Sequence, residues 1–285
     1  MTARTLIQRL ERALLTLYDP REAHQIALLV AAHQLGAGTH TATLLADPER
    51  EIPLSEAQVE VLTQRLSSGE PMQYVLGETD FFGRLFKVDA RVLIPRPETE
   101  ELIDLIRRNE PHARHLLDIG TGSGCIAISL ALELPEAEVT AIDLSPEALE
   151  VARENATALG AHITFIEADA LHGLEERFAP ATFDVLVSNP PYIPDADRQA
   201  MHCNVVEHEP HLALFVPNDD PLRFYRAIAR AGQHLLTEGG ALYFEIYHLA
   251  ADALCQLMEE LGFTAITIHR DLCDKPRMLC CRKSR

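Results

Sequence analysis

No stretch of this 285-residue chain approaches the apolar length of a membrane span. Its first residues, Met1-Thr2-Ala3-Arg4, lead into charged, amphipathic sequence with no apolar signal core. The expectation is a cytoplasmic protein with no membrane partner. The six cysteines (Cys125, Cys203, Cys255, Cys273, Cys280 and Cys281) include no Cys-x-x-Cys pair, which argues against a zinc ribbon. Two of them are adjacent, so a disulfide framework is not suggested either, and reduced core thiols are expected. Basic residues are scarce: 25 Lys and Arg face 43 Asp and Glu, a net charge of -18. Phosphate neutralisation needs cations, so direct nucleic-acid binding is not expected, whereas an acidic field suits a basic protein partner. Internal repeats and low-complexity tracts are absent.

What is present is enough apolar sequence, 47%, for more than one core. The first seventy residues read as helices. Leu6, Leu10, Leu14 and Leu17 share one helical face. Asp19-Pro20-Arg21-Glu22 has the acidic cap and early proline of a helix start, and Ser55-x-x-Gln58 opens another helix. Such a domain, residues 1–71, is expected to bind a partner. Tyr74, Val75, Phe81, Phe82 and the residues to Ile94 are β-prone and predict a linking hairpin within 72–96. From His115 strand and helix alternate, with strands at 115–119, 139–143, 163–167, 184–188, 241–246, 265–269 and 278–281. Residues 97–285 therefore predict an α/β, Rossmann-like domain with a mostly parallel seven-stranded sheet whose last strand is antiparallel.

Within that domain, Asp118-Ile119-Gly120-Thr121-Gly122-Ser123-Gly124 follows the first strand and opens a helix. Glycines there let backbone approach a ligand closely. A dinucleotide fingerprint requires Gly-x-Gly-x-x-Gly, and its third glycine position is Cys125. The acid at Asp118 suits a ligand carrying ammonium and sulfonium charges. Asp143 ends the second strand, placed for two ribose hydroxyls, and Asp169 closes the third, near an adenine amino group. Those acids favour S-adenosylmethionine over a nicotinamide nucleotide.

The fourth strand ends in Asn189-Pro190-Pro191-Tyr192. Two prolines remove two backbone donors and restrain the chain, leaving carbonyls free to accept. The Asn189 amide oxygen and the Pro190 carbonyl then form two convergent acceptors for a planar NH2 group. Gripping both hydrogens turns the nitrogen lone pair toward the methyl, and hydrogen bonds that strengthen as nitrogen becomes positive stabilise the transition state. Tyr192 is expected to stack on the planar substrate. The turn by itself does not choose between a nucleobase and an amide.

Paired with Asp118–Gly124, this turn resembles the protein-(glutamine-N5) methyltransferases that act on peptide-chain release factors. Ile94-Pro95-Arg96-Pro97-Glu98-Thr99-Glu100, Glu209-Pro210, Ala213-Leu214 and Phe224-Tyr225-Arg226 carry the same resemblance, which extends over nearly the whole chain. It implies S-adenosylmethionine as cofactor, S-adenosylhomocysteine as product, and the glutamine of a Gly-Gly-Gln tripeptide as substrate. It further implies cofactor contacts from Gly120–Gly124, Asp143, the Ala170 region and Asn189, with the substrate amide against Asn189–Tyr192. The chain departs from the family pattern at Ala170 (often aromatic), Pro221, Tyr247 and Asp274 (each commonly glycine). Alternatives are a ribosomal-protein glutamine methyltransferase, a nucleic-acid adenine methyltransferase and a non-catalytic cofactor-binding protein. Arg96 is expected to touch substrate or to pair with Glu98 or Glu100. His202, Cys203, His208, Glu209 and His211 match no common zinc spacing, and no metal is expected.

Overall fold

The computed structural model describes residues 1–36 and 40–284, which fall into two compact units. Met1–Glu78 and His202–His208 form the first unit, and Thr79–Met201 with Glu209–Arg285 the second. Among the described residues no helix is long and apolar enough to cross a membrane.

The first unit is helical: α1 (Ala3–Leu14), α2 (Pro20–His33), α3 (Thr41–Ala46), α4 (Glu56–Ser67) and α5 (Met72–Leu76). Side-chain caps start three of them. The Thr2 hydroxyl accepts from the Thr5 amide, Asp19 accepts from Arg21 and Glu22, and Ser55 forms a reciprocal capping box with Gln58. Leu6, Leu10 and Leu14 bury one face of α1 against Ala27, Val30 and Ala31 of α2. Leu17 does not continue that face. The helix ends at Leu14, with Leu15 as its cap, and Asp19 is already the extended cap residue of α2, as the residue before a proline prefers.

Segment 72–96 divides rather than forming one hairpin. Tyr74 and Val75 lie in α5, where Val75 joins the first unit's core. The strands are β1 (Glu78–Phe81) and β2 (Arg84–Lys87), joined through Phe82 and Gly83 with φ of 49° and 70°. Positive φ at both turn residues matches the twist of a two-residue hairpin. Phe81 and Phe86 meet edge to face and sink into the second unit's core beside Leu102 and Ile103.

The second unit continues with α6 (Pro97–Asn109), β3 (His115–Ile119), α7 (Cys125–Glu133), β4 (Glu138–Asp143), α8 (Pro146–Leu159), β5 (Ile163–Glu167), α9 (Leu174–Arg177), β6 (Phe183–Ser188) and β7 (Ile193–Pro194). The short helix α10 (Cys203–His208) belongs to the first unit. Then follow β8 (Phe215–Val216), α11 (Arg223–Leu235), β9 (Leu236–Glu245), α12 (Ala251–Glu260), β10 (Phe263–Arg270) and β11 (Pro276–Lys283). Seven strands make one sheet in the order β10-β11-β9-β6-β3-β4-β5. Only β11 runs against its neighbours, as the short connection from β10 requires. This is the expected Rossmann-like architecture. Two strands start earlier than the sequence suggests: β9 begins at Leu236 and β10 at Phe263.

The chain reverses its winding between β3 and β6, which pair in parallel with Ile119 opposite Ser188. A crevice opens at the carboxyl ends of strands where the winding reverses, and ligands of open α/β sheets bind there. Asn155 of α8, itself buried, ties the hairpin to the turn after β3. Its amide accepts from the Lys87 N–H (2.7 Å) and donates to the carbonyls of Lys87 (3.0 Å) and Ser123 (2.9 Å).

Candidate active site

Because Ile119 is opposite Ser188, the next residues of both strands, Gly120 and Asn189, emerge side by side. Both line one cavity of about 320 Å³ in the second unit, together with Gly122, Asp143, Asp169, Ala170, Pro190 and Pro191. The sequence-predicted residues Asp118, Thr121, Ser123, Gly124 and Tyr192 stand outside that lining.

The glycine turn has three positive-φ positions serving different ends. A Cβ built on Gly120 or Gly122 meets no atom within 4 Å, so the bare backbone borders open space that a ligand can enter closely. At Gly124 (φ 82°) a Cβ would lie 2.9 Å from Ile128 Cδ1 and 3.2 Å from Ala152 Cβ, so this glycine allows α7 to pack on α8. The Gly120 and Thr121 amides both donate to the Ile142 carbonyl at 2.9 Å, pinning the turn to β4.

Asp143 accepts from the Gly122 amide (2.8 Å) through one oxygen and from the Ser145 amide (2.9 Å) through the other. A carboxylate has about two acceptor sites per oxygen, so acceptor capacity remains for a hydroxyl. Burial raises the Asp143 pKa, against those amide bonds. Asp169 accepts from the Leu171 amide (2.8 Å) and pairs with His172 at 2.9 Å. Ala170 contributes only a methyl group to the lining that Asp169 and Phe224 share. A cradle of bare backbone, a two-oxygen acceptor at Asp143 and apolar walls from Ile119 and Ile228 fit S-adenosylmethionine.

Asp118 stands behind this turn, fully buried. Thr121 donates to its Oδ2 at 2.6 Å, and Oδ1 has no well-formed hydrogen bond among the described residues. Burial pushes its pKa from 3.8 up to about 7, against the Thr121 bond. Unfolded, the group ionises near its ordinary value, so between the two values the folded chain binds more protons. The stability this contributes is complete below the unfolded pKa and is lost as pH rises through about 7. Asp118→Asn is expected to remove that slope, about 1.4 kcal/mol per pH unit. Denaturant melts of both proteins across the interval test it, and parallel curves would contradict the assignment.

At the other wall, three side chains from distant elements converge behind Asn189. Asn189 Nδ2 lies 3.4 Å from Thr99 Oγ1 at the start of α6, and the Thr99 hydroxyl donates to Glu245 Oε2 at 2.5 Å. Tyr192 donates to the other oxygen of Glu245 at 3.2 Å. Glu245, the last residue of β9, is 1% exposed, and burial raises its pKa against the Thr99 bond and the Arg277 charge. Sequence reasoning missed both Thr99 and Glu245 as parts of the site. The signal available was the Pro97-Glu98-Thr99 segment, which carried a resemblance without a role.

Arg96 pairs with neither Glu98 nor Glu100. It meets Glu209 Oε1 at 2.6 Å, and Glu209, nearly fully buried, also accepts from the Ile94 amide at 3.2 Å. The Ile94–Arg96 segment is thereby clamped to Pro210, which lines the cavity. Of the other histidines and cysteines in that stretch, His202 stacks on Tyr18 within the first unit, with ring centroids 5.3 Å apart, and His211 meets Phe215 in the second. No group of three His, Cys, Asp or Glu with metal geometry exists among the described residues. The cysteines are all free, but only Cys125 and Cys281 are buried; Cys203 and Cys273 are exposed, correcting the expectation of core thiols throughout.

Two departures from the family pattern acquire physical reasons. Tyr247 lies parallel to Tyr192 (6.1 Å, 12°) and donates to Asp197 at 2.9 Å. Asp274 adopts φ 59°, the left-handed region that explains a glycine there and that aspartate tolerates better than most residues.

A Rossmann-like sheet with these two turns at its reversal point defines a methyltransferase. A methyltransferase of known structure from Pyrococcus furiosus shares the fold, with a TM-score of 0.54 over 81% of this chain and 100% of that one at 16% identity. Residues 97–211 match the methyltransferase small domain and residues 5–77 the PrmC N-terminal domain. A release factor glutamine methyltransferase of Bacteroides thetaiotaomicron is 42% identical over 273 residues, covering 95% of this chain and 96% of that protein. Its counterpart in Flavobacterium psychrophilum is 41% identical, covering 94% of each. The chain belongs to the release factor glutamine methyltransferase family.

Proposed function

We propose that this chain transfers a methyl group from S-adenosylmethionine to the side-chain nitrogen of the glutamine in the Gly-Gly-Gln motif of class 1 peptide-chain release factors. The observation that carries the chemistry is that Asn189, Pro190 and Pro191 share one cavity with Gly120, Gly122 and Asp143. The choice of a release factor rests on family membership across both the helical and the catalytic parts of the chain. A release-factor substrate would be met in the cytoplasm, where translation terminates.

S-adenosylmethionine, when bound, supplies an electrophilic methyl on sulfur. Gly120 and Gly122 would hold its amino-acid portion by backbone approach, Asp143 would take the ribose hydroxyls, and Asp169 with Ala170 would border the base. In its ionised form the buried Asp118 places negative charge behind the turn, favourable to the cationic end. Asn189 Oδ1 and the Pro190 carbonyl accept the two N–H hydrogens of the glutamine amide. That grip draws the nitrogen lone pair out of conjugation and aims it along the cavity, replacing a diffusional search by a fixed approach. As nitrogen gains positive charge, both acceptors bind it more strongly than in the ground state. The extra proton leaves afterwards, so no strong base is required before transfer. Tyr192, beside the acceptors, flanks the planar amide.

The test is to offer the purified protein and methyl-labelled cofactor, separately, to a release factor, to the same factor with its motif glutamine changed to alanine, to ribosomal proteins and to RNA and DNA. Label on the motif glutamine, lost in the alanine form, is expected. Label only on a ribosomal protein or on nucleic acid overturns the reading.

A further inference from the structure

We propose that Thr99 and Glu245 are positioning residues that set which end of the Asn189 amide faces the substrate. The inference rests on the function proposed above and assigns a role in it to two residues that touch neither cofactor nor substrate.

A carboxylate only accepts hydrogen bonds, and a threonine hydroxyl has one proton to give. Glu245 Oε2 takes that proton at 2.5 Å. Thr99 Oγ1 then has only lone pairs to offer Asn189, whose nearest side-chain atom lies 3.4 Å away. An amide oxygen there would face lone pair against lone pair, so Asn189 must direct its NH2 to Thr99. Its Oδ1 is the branch left for the cavity that Asn189 lines. Reversed, the amide would offer a donor to a substrate nitrogen that needs an acceptor. The orientation is therefore written by a relay from Glu245 through Thr99 to Asn189, whose members come from β9, α6 and the end of β6.

The second oxygen of Glu245 holds the Tyr192 hydroxyl at 3.2 Å, so one buried carboxyl group secures both ends of the Asn-Pro-Pro-Tyr turn. The carboxyl group is itself fixed. The main-chain carbonyl of Glu245 accepts from Tyr225 at 3.1 Å, and the nearby positive charge of Arg277 is braced by Asp271 at 3.1 Å. Breaking the relay at Thr99 releases Asn189 without touching the cavity lining.

Thr99→Val keeps the shape and removes the acceptor, while Thr99→Ser keeps the hydroxyl. With release factor as substrate, Thr99→Val is expected to lower kcat about 30- to 100-fold, below the loss for a whole oxyanion-type group, with KM and cofactor Kd within about twofold. Thr99→Ser should recover kcat to within about threefold of the parent, a rescue that a packing role would not produce. Thr99→Ala carries the same test if valine does not fold. Independently of activity, protein labelled with nitrogen-15 at asparagine should show slow hydrogen exchange of the Asn189 side-chain NH2 in the parent and in Thr99→Ser, and fast exchange in Thr99→Val. Full kcat in Thr99→Val, a serine form as impaired as valine, or an unchanged Asn189 signal each overturns the relay. If the parent protein leaves release factors unlabelled while the exchange pattern holds, the function fails and the relay stands.

Discussion

Replacing Asn189 with alanine is expected to lower kcat for release-factor methylation by about 10²- to 10³-fold, the scale of removing one group that binds developing charge. The amide nitrogen of glutamine is a poor nucleophile because its lone pair is spread into the carbonyl. Only an acceptor that pulls on its hydrogens in the right direction changes that, and alanine leaves the Pro190 carbonyl to act alone. The loss should fall in kcat, since the interaction strengthens in the transition state, and KM should change little. Asn189 also borders the cofactor's cavity, so cofactor Kd measured by calorimetry is expected to rise no more than about threefold, the worth of one weak contact. Single-turnover methylation reads the chemical step directly. A variant within threefold of the parent would place the grip elsewhere.

A second large effect is expected at Gly124, in stability as well as activity. Its φ of 82° is left-handed, which costs an L-residue about 1–2 kcal/mol. Valine there also brings carbon to 3.2 Å from Ala152 Cβ and 3.4 Å from its Cα, atoms fixed to the α8 backbone, whereas the Ile128 Cδ1 tip at 2.9 Å can move aside. Overpacking of this kind costs about 1–3 kcal/mol. Gly124→Val should therefore lose several kcal/mol in urea unfolding and about 10 °C in Tm for a unit of this size. Because α7 would be pushed from α8, the turn carrying Gly120 and Gly122 would shift, and cofactor binding should weaken with it. Gly122→Ala is the control: a Cβ there meets open space, so it should weaken cofactor binding with only the backbone part of the stability loss. Equal melting of Gly124→Val and the parent would refute the packing assignment.

Much of both units was legible in the sequence alone, because the signals are local. The turn after β3 is readable from glycine spacing, the end of β6 from consecutive prolines, and the start of α4 from a serine three residues before a glutamine. Each is a short-range steric or hydrogen-bond constraint. Tyr74 and Val75 mislead because β-propensity is weak when the residues that bury them decide otherwise, here the core of the helical unit. Leu17 misleads for the opposite reason, since the apolar spacing continues three residues past the end of the helix at Leu14.

The contacts that finish the site span long stretches of chain. Thr99 reaches Glu245, Arg96 reaches Glu209, and Asn155 reaches Lys87, and nothing in the intervening sequence announces any of them. A carboxylate, hydroxyl or amide has many equivalent partners until the fold removes all but one from reach.

The sequence by itself determined the class of sheet, the two turns and the acids at the strand ends, because backbone sterics and hydrophobic alternation act between near neighbours. Tertiary structure alone decided that those turns face each other. It did so by making β3 and β6 neighbours in the sheet, with Ile119 opposite Ser188, an adjacency that depends on how the whole chain winds. It also decided which atom of Asn189 looks into the cavity, because that choice belongs to a buried chain of donors and acceptors drawn from three separate elements.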